Sequence, residues 1–292
     1  METTPCSPTK LPGSKRRKFR IAADGGLRRV GHCLGIADSN GSPDAVLVCI
    51  DLEVRREERL QAGVPLVNEF GIATLDPRLL RSSAAAPPTA PWIRTQQFST
   101  SNTSKDFHGC DCTDFNECLF VETHRVSQTE LPATIRRCLR LPDDQSLDPS
   151  KLRDIIIVGH SVRSDLEILQ RLGVEVRDVA PVLAIVDTHF IARSLSRNDG
   201  FAPAKGFSLG SLLTELGCPF KKSDLHNAGN DATFTLHLLL KLSIKTSEDL
   251  DLNSGKEEAL ERLRTRVQFE LYDCAHWEPV RKALGFYAAE LP

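Results

Sequence analysis

From Ala45 to Val54 the chain reads AVLVCIDLEV, apolar and β-branched until Asp51 and Glu53 enter near its end. This pattern predicts a buried strand that finishes among acidic residues. After the polar connection RREERLQAG, a second apolar run, VPLVNEFGIATLD, starts at Val64 and predicts a pairing partner. RSSAAAPPTAP interrupts the pattern as a surface loop, and WIRTQQFS predicts a further strand. A helix is expected over 127–141, followed by a break from Pro142 to Pro149. Strand and helix then alternate. RDIIIVGH predicts a short apolar strand, and SVRSDLEILQRLG an amphipathic helix with Leu166, Leu169 and Leu172 inward and Gly173 as its stop. VLAIVDTHF repeats the strand signal, and FSLGSLLTELG predicts a helix ending at Gly217. In HNAGNDATFTLHLLLKL, Phe234, Leu238 and Leu242 recur at four-residue spacing with Leu239 beside them, which predicts a core-facing helix. KEEALERLRTRVQFEL predicts a terminal one, expected to cap the domain rather than to join a partner. The economical architecture is an α/β fold, a mixed sheet covered by helices.

The punctuation divides the chain into a flexible leader over 1–43, a folded domain over 44–248 with a polar, Cys-rich insertion near 81–118, and a helical extension over 249–292. At 292 residues and 40% apolar composition a substantial core is expected. No run of about eighteen apolar residues is free of charge, and METTPCSPTKLPGSKRRKFR lacks the apolar centre of a secretory signal. An intracellular protein, cytoplasmic or nuclear and without a membrane span, is therefore expected. Nine scattered cysteines argue against a disulfide framework. The net charge of −2 is not that of a protein that coats long duplex DNA, although the basic run Lys15, Arg16, Arg17, Lys18 and Arg20 has the composition of a nuclear-localisation signal or a solvated tail. His108, Cys110, Cys112 and Cys118 raise zinc binding, but C-x-C with a cysteine six residues on lacks paired C-x-x-C knuckles, and a variable loop is the expectation.

Candidate chemistry rests on acidic residues. Asp51 and Glu53 lie two apart on one strand and so share a face, a costly placement unless a cation neutralises them or the strand ends in solvent. Asp165 enters the helix after RDIIIVGH, near the carboxyl end of a strand, where α/β sheets place functional groups. His226 and Asp231 are five residues apart, so on one helix they would point about 140° from each other. His226 is therefore expected before the helix, with Gly229 and the asparagines permitting an irregular start. The plainer reading takes Asn227 as an N-cap and Asp231 as an acid favoured by the helix dipole.

Taken in order, IDLEV, GHSVRSDLEIL and HNAGNDATFTL resemble the three motifs of the DEDDh 3′-to-5′ exonucleases. The resemblance spans roughly 45–245 and includes VDTHF as the strand that family often carries between its second and third motifs. HNAGNDA, GIATLD and the long insertion are similar to a fungal branch of the same superfamily. It implies a ribonuclease-H-like mixed β-sheet flanked by α-helices. It further implies Asp51, Glu53, Asp165 and Asp231 as ligands of two Mg2+ or Mn2+ ions, Asp51 bridging both, and His226 as general base. Two cations about 3.5 to 4 Å apart clamp the attacking and leaving oxygens of a phosphodiester. The implied substrate is nucleic acid with a single-stranded 3′ end, and the implied product a 5′-mononucleotide. Where many members carry Thr-Gly after the first acidic pair, this chain has Val54-Arg55-Arg56.

Arg163, Lys205, Lys221 and Lys222 are candidates for phosphate contacts, and Phe70 and Phe207 for base stacking, each against the plainer reading of solvated charge or core. His160, His189 and His237 are expected to be structural, and Asp187 to support the site from behind the metal ligands. The competing reading is a catalytically weak or inactive nuclease-fold module that binds nucleic acid or a protein.

Overall fold

β1 (Ala45–Val54) pairs antiparallel with β2 (Val67–Leu75), and β2 pairs antiparallel with β3 (Ile93–Ser99). The short β4 (Thr123–Arg125) completes that side, parallel to β3. On the other side of β1, β5 (Asp154–Gly159) and β6 (Val182–Asp187) run parallel to it, giving one six-stranded mixed sheet in the order β4-β3-β2-β1-β5-β6. In this computed structural model, residues 20–37, 44–54, 64–81, 91–100, 117–198, 200–248 and 254–273 are described.

Strand alternation sorts the apolar residues into two cores. Val46, Val48, Ile50 and Leu52 of β1 face α3 (Leu131–Leu139) and α4 (Arg163–Arg171), packing with Leu131, Ile135, Leu166 and Leu169. Ala45, Leu47 and Cys49 face the opposite way, toward α8 (Ala228–Glu248). Nearly every side of α8 is buried, because α1 (Leu27–Leu34), α6 (Thr188–Asn198), α7 (Leu209–Glu215) and α9 (Ser254–Gln268) surround it on the sheet. Asp51 and Glu53 continue the odd-numbered series and so stand on the α8 face.

Several elements depart from the sequence expectation. The segment expected to be a flexible leader contains α1, whose Val30, Cys33 and Leu34 are buried in the α8-side core. Its neighbour Gly25 is tied to the sheet, its carbonyl accepting the Asp187 N–H at 3.0 Å. Two arginines and a histidine in eight residues, LRRVGHCL, mask the apolar positions Leu27, Val30 and Leu34. VLAIVDTHF does not continue as strand to Phe190: β6 stops at Asp187, whose carboxylate accepts the His189 N–H at 3.0 Å and starts α6. The helix expected over 127–141 is shorter, and β4 carries no periodic signal that three residues could show. The short helices Arg78–Arg81 (α2) and Val176–Val179 (α5) lie below the length at which periodicity speaks. Phe70 is fully buried and stacked on Phe98 at 6.0 Å, which removes it as a base-stacking surface.

The C-terminal elements lie against the sheet. Leu260, Leu263 and Val267 of α9 join the α8-side core, and just beyond them the Glu270 carboxylate accepts the N–H groups of Trp92 and Ile93 at 2.6 and 3.1 Å, at the start of β3. Among the described residues no helix is long and apolar enough to cross a membrane. Residues 38–43, 55–63, 82–90 and 101–116 lie outside the described set, and with them fall Arg55, Arg56, His108, Cys110 and Cys112, while the insertion expected near 81–118 is divided by β3, an integral strand of the sheet.

His237 provides a test of the core. It is buried between Phe120 and Phe234, with neither ring nitrogen hydrogen-bonded, and burial pushes its pKa down to about 3. The unfolded chain takes up a proton near pH 6.5 and the folded state does not. This contribution is therefore fully present above pH 6.5 and lost as pH falls toward 3, at up to about 1.4 kcal/mol per pH unit. His237→Phe is expected to recover roughly 2 kcal/mol relative to wild type between pH 7 and pH 5, measured by urea unfolding at both values. Equal pH dependence in the two proteins would contradict this account.

Candidate active site

Close packing of the start of α8 against β2 creates the site. In the β1–β2 ladder Asp51 lies opposite Gly71 and Glu53 opposite Glu69, just before a register shift at Glu53 and Val54. A side chain at Gly71 is impossible here, since a Cβ would stand 1.9 Å from the carbonyl oxygen of Ala228. At the next residue, a Cβ on Gly229 would meet Gln97 and Cys118 at 2.6 and 2.8 Å. The first turn of α8 thus rests on β2 and β3 beside Asp51.

Backbone donors fix that turn. The Ala228 N–H donates to Glu69 Oε2 at 3.0 Å, and the Asn230 N–H to Asn227 Oδ1 at 3.1 Å, as an N-cap does. Asn230 in turn accepts from the Leu119 N–H at 2.8 Å and donates to the Asp224 carbonyl at 3.0 Å. His226 precedes the helix in the left-handed region, at φ 65°, and its N–H donates to Asp231 Oδ2 at 3.0 Å. The turn folds the histidine back over Asp231, so the five-residue spacing no longer separates them.

Asp165 arrives from the other core. It lies in the first turn of α4, and its Oδ1 accepts the Leu52 N–H at 3.1 Å, between the two acidic residues of β1. The approach to α4 is held by buried Asp187, which accepts from the Ser161 and Val162 N–H groups at 3.0 and 3.1 Å. Ser161 has φ 63°, so both helices that deliver acidic residues are entered through a left-handed non-glycine residue.

The resulting cluster carries excess negative charge. Ligand atoms of Glu53, His226 and Asp231 all lie within 4.8 Å of one another, with His226 Nδ1 at 4.0 Å from Glu53 Oε1. Asp51 and Asp165 fall outside that triplet but within its field. Burial, then Asp165, Asp231, Glu53 and Glu69, hold the Asp51 carboxyl well above its ordinary pKa. Burial and then Glu53 raise Asp231 against the lowering effect of the His226 N–H. Burial lifts Glu69 to about 7. Asp51 Oδ2 and Asp231 Oδ1 are buried without a hydrogen-bond partner. Orphaned carboxylate oxygens among like charges form a donor set suited to a hard divalent cation.

Glu69 was not marked from the sequence. The available signal was an Asn-Glu pair inside an apolar strand, one of whose faces had to meet α8. Arg163, Lys205, Lys221 and Lys222 are exposed, and Phe207 is half-buried. His160 hydrogen-bonds through both ring nitrogens, to Thr188 Oγ1 at 2.9 Å and the Phe207 carbonyl at 3.0 Å, and burial lowers its pKa to about 4.

Two measurements probe this arrangement. Because the Asp51 pKa is raised on folding, its unfavourable charge is felt as pH rises from about 4, so metal-free Asp51→Asn is expected to gain stability over wild type increasingly from pH 4 to 8. Added Mn2+ should reverse the ranking by stabilising wild type more; a melting-temperature difference independent of both pH and Mn2+ would refute this. Glu69→Leu leaves the Ala228 N–H buried without its acceptor and is expected to cost roughly 1 to 3 kcal/mol and to weaken Mn2+ binding. Glu69→Gln, which keeps an acceptor, should bind Mn2+ more tightly than the leucine variant in calorimetry, and equal affinities would contradict the role given to this bond.

Comparison with known proteins agrees with the geometry. Residues 46–242 match the DEDDh family described as DNA polymerase III subunit epsilon-like, C-terminal domain. Two Saccharomyces cerevisiae proteins are also similar: uncharacterized protein YDR514C, 25% identical over 241 residues that make up 75% of this chain and 44% of that one, and Good for full DBP5 activity protein 2, 26% identical over 212 residues that make up 68% and 36%. The chain spans less than half the length of either relative over the matched region. The family match runs through the strands and helices that bear Asp51, Glu53, Asp165, His226 and Asp231, and the chain belongs to this DEDDh exonuclease-like family with its ribonuclease-H-like fold.

Proposed function

We propose that this chain is a divalent-cation-dependent 3′-to-5′ exonuclease that acts on single-stranded nucleic acid and releases 5′-mononucleotides. The observation that carries the reading is the convergence of acidic residues from β1, α4 and α8 at the carboxyl end of β1, with His226 over them. Asp51, Glu53, Asp165 and Asp231 would hold Mg2+ or Mn2+. Such ions, when bound, lower the pKa of water and offset the charge that develops on the phosphate oxygens.

The chain's own residues supply the rest. His226 is 81% exposed at its side chain, so its ring reaches an incoming water while its backbone stays fixed on Asp231. It takes the proton of the water as the water oxygen bonds to phosphorus. The bond between phosphorus and the 3′ oxygen of the preceding nucleotide breaks, leaving a shortened strand with a 3′ hydroxyl and a free 5′-mononucleotide. Glu53 Oε1 stands 4.0 Å from His226 Nδ1, beside the ring that takes the proton. The hydrogen bond from Leu52 to Asp165 ties the α4 carboxylate to the strand that bears the first pair.

Purified protein incubated with end-labelled single-stranded RNA and DNA in Mg2+ or Mn2+ is expected to shorten the strands from the 3′ end, and EDTA to stop it. His226→Ala is expected to slow cleavage by roughly 10^2- to 10^4-fold, the usual range for a lost general base, while retaining Mn2+ binding. Undiminished cleavage by His226→Ala would remove the base from the mechanism. Strand binding without turnover in wild type would favour a nuclease-fold binding module.

A further inference from the structure

Beside the carboxylate cluster, α6 presents a different surface. Ile191, Ala192 and Leu195 of this helix face the core, while Phe190, Arg193 and Arg197, at i, i+3 and i+7, form one exposed stripe. Phe190 is 47% exposed although it is a large apolar ring on a helix with a well-filled inner face. His189 stands 6.3 Å from Phe190 and 6.1 Å from Phe207, and the Arg193 guanidinium lies 6.0 Å over the Phe207 ring. Exposed Lys205 lies two residues before Phe207, and exposed Arg163 opens α4, next to the Ser161 and Val162 N–H groups that Asp187 accepts. Among the described residues Arg163, Arg193, Arg197 and Lys205 form no salt bridge.

One residue ties this surface to the cluster. Asp187 accepts from Ser161 and Val162, which lead into α4 and Asp165, and from His189 and Phe190, which open α6. His160 closes a second link, bonding Thr188 of α6 and the Phe207 carbonyl, to which His189 Nδ1 also donates at 3.2 Å. The rings are therefore fixed relative to Asp165 through direct hydrogen bonds, on the side of β5 away from β1 and β2.

We propose that the α6 stripe, with the rings of Phe190, His189 and Phe207 and the cations Arg193 and Arg197, binds the single-stranded segment that precedes the nucleotide held at the carboxylates. This rests on the nuclease reading of the site. The exposed Phe190 ring can stack on an unpaired base, whose faces a duplex keeps covered, with the half-buried His189 and Phe207 rings behind it, and the adjacent guanidinium groups meet the phosphates. The pattern selects single strands over duplex and is indifferent to sequence.

Fluorescence anisotropy with short single-stranded DNA and RNA oligonucleotides in Ca2+ reads binding separately from cleavage. Phe190→Ala is expected to weaken single-strand binding roughly 5-fold or more, and to leave the weaker binding of a duplex of equal length unchanged. Arg193→Ala with Arg197→Ala should flatten the dependence of log affinity on log salt by about 1.4, two phosphates' worth for a single strand, and lysine at both positions should restore the slope. Variants that bind single strands as wild type does, with the same salt slope, overturn the proposal and leave the stripe to a protein partner. Wild type that binds neither strand also overturns it. Wild type that binds through these residues yet releases no nucleotide in Mg2+ or Mn2+ upholds the stripe and defeats the nuclease reading.

Discussion

Like charges gathered at the end of one strand are the constraint on which the rest of the structure depends. Asp51, Glu53, Asp165 and Asp231 repel one another, and burial makes that repulsion more costly than in water. Without an opposing pull the chain would relax by turning these side chains to solvent. The fold resists with backbone N–H groups: Leu52 donates to Asp165, His226 to Asp231 and Ala228 to the adjacent Glu69. Each donor belongs to a strand or to a helix start, so moving the carboxylate would mean moving an element that is packed into a core. These bonds use one oxygen of Asp165 and one of Asp231 and leave Asp51 Oδ2 and Asp231 Oδ1 without partners, so the cluster is held in position without being internally neutralised.

The two helices enter by the same device. Ser161 before α4 and His226 before α8 both take the left-handed conformation, at a cost on the order of 1 kcal/mol for a residue that has a Cβ. In each case a carboxylate accepts the N–H of the strained residue, Asp187 at Ser161 and Asp231 at His226. The tight turns let each helix begin close to the sheet, so that acidic residues of the first turn face the end of β1. Gly71 serves the same end from the β2 side, because any larger residue would lift α8 away. Strain, missing side chain and buried carboxylate are parts of one requirement, that α8 start directly against the sheet.

Much of this was legible in the sequence, and what was not has physical causes. β1, β5 and the long helix α8 are read from periodicity because one environment dominates over their whole length. The order of Asp51, Glu53, Asp165, His226 and Asp231 is visible because the first two interrupt an apolar strand and the others stand in the polar starts of apolar helices. The geometric argument that places His226 before its helix follows from helical angle alone, and the structure has it there. Glu69 was invisible because its role is defined by a partner 159 residues away, the Ala228 N–H, and by a ladder register that no local pattern encodes. α1 was concealed in a basic segment, where Arg28, Arg29 and His32 break up its apolar positions. The start of α6 was hidden in an apolar run, because the residue that ends β6, Asp187, does so by accepting backbone N–H groups beyond it.

Core and site also share α8, which explains why the polar lead-in HNAGND and the apolar run that follows belong to one element. Phe234, Leu238, Leu239 and Leu242 bury the helix against the sheet, and that burial is non-directional. It sets depth without fixing how far the helix slides or rotates. Directional contacts at the first turn remove that freedom: Ala228 on Glu69, Asn230 on Leu119 and Asp224, and Gly229 against Gln97 and Cys118. Apolar packing provides the strength that keeps repelling carboxylates together, and polar contacts at one end convert it into position. A helix anchored only by its leucines would hold Asp231 near β1, but would leave its position against Asp51 and Glu53 free to shift.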